Sequence, residues 1–172
     1  MDSYWVEQLR ARLTEFQTAR DVEGTALSIK IRIEAGCFHR EHSPIAYEII
    51  DAWVAHPELQ GSDFKIEEHE TGPEILLWIT AGLGIAKGII DLVVTIVKAR
   101  AEGSKKGDRA SGPLQIIVRG FQKNGEFFEE KIVQIPPDHP QAEKMIRDAF
   151  ESNLKASDTK KKVKAKNPRA KR

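Results

Sequence analysis

The chain has 172 residues, a net charge of +1 at pH 7, and 40% hydrophobic and 31% charged residues. Those values fit one globular domain with appendages. Cys37 is the single cysteine, which excludes an intrachain disulfide, and the opening MDSYWVEQLR lacks the regions of a secretory signal, so a cytoplasmic location is expected. The charge is uneven, because residues 157–172 carry eight Lys or Arg against one Asp and leave the rest of the chain acidic.

In chain order, residues 3–20 predict an amphipathic helix, with Trp5, Leu9, Leu13 and Phe16 at helical spacing and Asp2 or Ser3 as cap. Residues 26–34 predict a strand. Leu27, Ile29, Ile31 and Ile33 alternate with Ser28, Lys30, Arg32 and Glu34, so one face is buried and the other is wet or covered by something polar. Ser43-Pro44 opens a second helix with Ile45, Ile49, Ile50, Trp53 and Val54 as its apolar face. After the turn at His56–Gly61, a short strand is expected over 63–70, with Phe64 and Ile66 inward.

Residues 75–97, ILLWITAGLGIAKGIIDLVVTIV, carry only Lys87 and Asp91 as charges. Thr71-Gly72-Pro73-Glu74 before them has the form of a capping box with a first-turn proline, and Lys98, Arg100 and Gly103 suit a helix end. One long buried helix is therefore expected, with a stripe through Thr80, Gly84, Lys87, Asp91 and Thr95. Residues 101–112 read as a polar loop.

Asn124-Gly125 is a type I′ hairpin signal. Its register places Leu114, Ile116, Val118, Val133 and Ile135 on one face, with Arg119 opposite Glu130 and Lys123 opposite Glu126. Past Pro136-Pro137, a last helix presents Ala142, Met145, Ile146, Ala149, Phe150 and Leu154. The expected architecture is α/β (α+β): β-α-β-α-β-β-α, a four-stranded mixed sheet with helices packed on one face and right-handed parallel crossovers, plus the N-terminal helix. The organisation is a helical segment 1–24, a domain 25–156 and a disordered basic tail 157–172.

Four stretches carry a family resemblance: the alternating strand LSIKIRIE, the turn HPELQG, the glycine-bearing run ITAGLGIAKGIIDLVVTIVKAR ending in basic residues, and the hairpin IIVRGFQKNGEFFEEKI. Spanning about residues 25–155, they resemble the effector-associated constant component family of bacterial conflict systems. The resemblance implies a non-enzymatic adaptor, without cofactor, that couples sensing to effector proteins such as peptidases and signalling ATPases.

The chain carries other candidate chemistry. Cys37, His39 and His42 offer a thiolate and two imidazoles, and His69 would share their sheet edge if the first two strands run parallel. These donors suit zinc, but C-x-H-x-x-H is not a standard zinc spacing, and a polar surface loop is the simpler account; a metal-dependent enzyme using the 37–42 loop is one alternative. Gly82, Gly84 and Gly88 suit close helix packing, and with Lys87 and Asp91 they form a candidate interaction stripe. The second alternative is a membrane-associating or pore-forming effector using helix 75–97, whose Lys and Asp would line a lumen. The apolar width of that helix also predicts a homodimer. Lys160, Lys161, Lys162, Lys164 and Lys166 could meet nucleic acid or anionic lipid, without aromatic residues for stacking on bases.

Overall fold

The alternating strand becomes the centre of the sheet. In the computed structural model, which describes residues 3–18, 24–56, 64–80, 84–109 and 112–152, the elements are α1 (Ser3–Thr18), β1 (Gly24–Ile33), α2 (Pro44–Val54), β2 (Phe64–Glu67), β3 (Glu74–Thr80), α3 (Lys87–Lys106), β4 (Leu114–Phe121) and β5 (Phe127–Ile135). A fourth helix, α4, covers 142–152. The strands form one five-stranded sheet in the order β2-β3-β1-β4-β5, and every neighbouring pair is antiparallel.

The α+β class stands, but the four-stranded mixed sheet is corrected to five antiparallel strands. The added strand is β3, EILLWIT, taken from the front of the expected long helix. Ile75, Leu76, Leu77 and Trp78 are all buried, because β3 lies between β1 and β2 with helices on both faces. A strand covered on both faces loses its alternation and reads as an apolar run, which periodicity cannot separate from a buried helix. The expected capping box is a turn leading into β3. Gly72 has φ +138, and Pro73 and Thr71 carbonyls accept from Ile31 and Ile33 amides at 3.0 and 2.9 Å, extending the pairing to β1.

Insertion of β3 also changes the crossovers. β1 and β2 still run in the same direction, joined through α2, but β3 lies between them. Likewise β3 and β4 run in the same direction, joined through α3, with β1 between. Each helical connection therefore skips one antiparallel strand.

α3 begins at Lys87 and continues through residues expected as loop, ending at Gly107 in the left-handed conformation. At 20 residues it is about 30 Å long, shorter than the single helix expected from residue 75. Gly103 lies inside it where α2 approaches. A Cβ there would meet the Asp108 carboxylate, with the Ala46 amide at 3.0 Å. That carboxylate accepts from Ile45 and Ala46 amides at 3.1 and 2.9 Å. It caps α2 from a distance, whereas the expected N-cap, Ser43, makes no side-chain capping bond.

The hairpin forms with a different turn. Type I′ needs positive φ at both central residues; Gly125 has φ +85 and Asn124 does not. Gly125 N–H donates to Gln122 O and Gln122 N–H to Glu126 O, both at 2.9 Å, a tighter first turn closed by a glycine bulge. The outer half keeps the expected register, Leu114 to Ile135 and Ile116 to Val133. A bulge after Ile116 then shifts the rest, so Arg119 faces Glu129 instead of Glu130.

The helices divide between the faces, which corrects the expected packing on one face. α2, α3 and α4 cover Ile29, Ile31, Ile33, Ile75, Leu77, Leu114 and Ile116 with Tyr47, Ile50, Leu92, Ile96, Ile146 and Phe150. On the reverse, α1 packs Leu9, Leu13 and Phe16 on Ala26, Leu76 and Trp78.

Candidate functional site: a charged cluster beneath the N-terminal helix

The even-numbered side chains of β1 emerge on the α1 face, where Ser28 and Lys30 are buried. Register brings Glu74 of β3 opposite Lys30, Glu67 of β2 beside Glu74, and Arg119 of β4 opposite Ser28. Glu74 has no exposed surface. Its Oε2 accepts from Ser28 Oγ at 2.6 Å and Arg119 Nη2 at 2.8 Å. Its Oε1 accepts from Arg12 of α1 and lies 3.1 Å from His69 Nε2. Arg12 Nη1 also reaches Glu67 Oε2 at 2.6 Å. One guanidinium thus bridges two carboxylates and ties α1 to two strands.

Burial alone would raise the Glu74 carboxyl pKa. The bonds from His69, Arg12 and Ser28, with the charge of Arg119, outweigh it and hold the group well below the usual carboxylate range. Lys30 is pushed the other way for an ammonium. Burial lowers it to about 8, against the pull of Glu74 and with help from Arg119, Arg32 and Arg12. Its Nζ donates to Gly72 O at 2.5 Å. Gly72 must be glycine here, since a Cβ would collide with Ile31 O and φ is +138. Arg119 is further covered by Trp5 of α1, 5.3 Å from its guanidinium carbon to the ring.

Sequence reasoning missed this cluster. The capping-box reading places Glu74 at a helix start, and no expectation concerns Arg12. The available signal was the run Ser28, Lys30, Arg32 on a strand whose second face was left without an owner.

The expected donors do not assemble. Cys37, His39 and His42 follow β1, and the Phe38 amide donates to Glu70 O at 3.0 Å, so this loop and the His69 turn do share a sheet edge. His39 faces Glu68 at 3.9 Å, and His42 Nδ1 is buried without a hydrogen-bond partner. His69 turns instead towards Glu67 and Glu74, and among the described residues those three form the one group with donor atoms mutually within 4.8 Å.

The interaction stripe is also redistributed. Gly84 (φ +67) lies in the connection before α3, and Gly88 is exposed in its first turn with open space around it. Neither therefore packs helix on helix, and Gly82 lies outside the described residues. Asp91 pairs with Arg147 of α4 at 2.9 Å and not with Lys87, which is exposed. No helix among the described residues is long and apolar enough to cross a membrane, and residues 75–80 are strand, so the lumen-lining helix is not formed. Lys160, Lys161, Lys162, Lys164 and Lys166 lie outside the described residues.

No family model, no curated protein and no solved structure matches the chain.

Proposed function

We propose that this chain is a non-enzymatic interaction domain, an adaptor of a prokaryotic conflict system that couples to an effector protein. The observation that carries the non-catalytic part is the engagement of Glu74. Four groups from α1, β1, β4 and the β2–β3 turn take up both oxygens of the most strongly perturbed acid. A general acid or base needs a free position within reach of substrate, whereas an acid held this way fastens elements together.

The adaptor part rests on the resemblance. Its stretches on β1, the β3–α3 run and the β4–β5 hairpin are framework elements of the sheet and its cover. The test is co-expression with the products of neighbouring genes, followed by size-exclusion chromatography at micromolar concentration. Co-elution with a peptidase or ATPase partner is expected. Elution of the chain alone, in a neighbourhood without effector genes, removes the proposal.

A further inference from the structure

We propose that Glu67, His69 and Glu74 form a site for a borderline divalent cation such as Zn²⁺, closed in the native chain by the Arg12 guanidinium, so that cation entry and seating of α1 exclude one another. The inference does not depend on the adaptor reading.

Three features of the geometry carry it. First, His69 Nε2 lies 3.1 Å from Glu74 Oε1 and 3.7 Å from Glu67 Oε2. Donors bound to one zinc ion at about 2.0–2.1 Å stand roughly 3–3.5 Å apart, and three protein ligands with an open fourth position is a common arrangement. Second, Glu74 is already oriented as a ligand. Ser28 and Arg119 hold its Oε2 and leave Oε1 aimed at the shared point, the task of outer-shell groups in metal sites. Third, a positive centre already occupies that point, since Arg12 Nη1 bonds both Glu67 and Glu74. Access exists from the rim, because the side chains of Arg12, His69 and Glu67 are 30%, 39% and 17% exposed while Glu74 is closed.

Exchange follows from position. Arg12 fills the point the three donors share, while Arg119 stays on the other oxygen of Glu74. When Arg12 withdraws, two carboxylates and an imidazole face one another, and a divalent ion takes over the bridging. Because Arg12 lies midway along α1, its withdrawal also lifts the helix from the strands.

Zinc titration at neutral pH by calorimetry, with amide exchange of residues 9–16 as a second readout, tests this. Arg12→Met keeps the aliphatic stem and removes the competitor, and it should bind one zinc at least tenfold more tightly than the native chain. Adding His69→Ala to that variant should abolish the binding. In the native chain, saturating zinc should speed amide exchange in α1, and His69→Ala should remove that response. Zinc binding no tighter in Arg12→Met than in the native chain overturns the proposal. So does binding that survives His69→Ala, which would place the ion elsewhere, for example at Cys37 and His39. If Arg12→Met does not fold, the native chain decides: α1 exchange unchanged by saturating zinc overturns the proposal, and a response abolished by His69→Ala upholds it.

Discussion

Odd and even residues of β1 are buried to the same degree by different means. Ile29, Ile31 and Ile33 meet a wide apolar layer from three helices. Ser28 and Lys30, exposed no more than 4%, meet a carboxylate, a backbone carbonyl and guanidinium groups beneath a single helix. The apolar face is tolerant, because each contact is small and neighbours can shift to fill a gap. The charged face is brittle, because removing one member leaves the others buried without a counter-charge.

The largest expected effect breaks the charged face at its centre. Glu74→Ala takes the buried partner from Arg119 and Ser28 and leaves Arg12 with Glu67 alone, and is expected to lose about 3–5 kcal/mol in urea unfolding. Trimming the apolar face at Ile31→Val should cost only about 0.5–1.5 kcal/mol. If the two losses are equal, the contrast between faces fails.

Acid should separate the faces as well. Glu74 is held well below its unfolded value of about 4.3, so between the two values the unfolded chain binds more protons. Its contribution is complete above about pH 5 and is lost progressively as pH falls towards the native value. Urea midpoints measured down to about pH 2.5 should therefore fall less steeply in Glu74→Gln than in the native chain, relative to each protein's midpoint at neutral pH.

Lys30 provides a smaller effect at the alkaline end of the scale. With a native pKa of about 8 against 10.5, it sheds its proton first in the folded state, so its contribution to stability rises with pH between those values. Lys30→Met gives up one hydrogen bond and removes a buried charge. It should abolish that alkaline rise in chemical denaturation. The smallest effect lies on the rim: Lys144→Ala breaks an exposed pair with Asp148, and the thermal unfolding midpoint should not shift measurably.

Much of the fold was legible where one face of an element is wet. β1 announced itself by alternation, and α1, α2 and α4 by helical spacing with caps or prolines near their starts. β3 was hidden because α1 covers the face that would have carried polar residues. Its aromatic and branched content, Trp78 with Ile75, Ile79 and Thr80, was the remaining hint of a strand. The hairpin was readable to its outer half, but the bulge beyond Ile116 answers to curvature across the sheet, which a pairwise charge match between Arg119 and Glu130 cannot see. The candidate site needed three strands and a helix brought together from distant positions, and no local pattern records that. A buried lysine opposite an unassigned glutamate could have been sought only once β3 was known to lie beside β1.

The central place of β1 has a kinetic consequence. Its two ladder partners, residues 74–80 and 114–119, are made long after it during synthesis. Until β4 appears, at least one edge of an alternating, isoleucine-rich strand stands unpaired. The sheet is thus dominated by contacts of high sequence separation, so the chain should fold in milliseconds or more slowly and not in microseconds. A truncated chain ending before β4 exposes an open template for pairing with other copies. Lys30 and Arg32, in the middle of that template, then act as charged guards against intermolecular stacking before Glu74 is seated opposite Lys30.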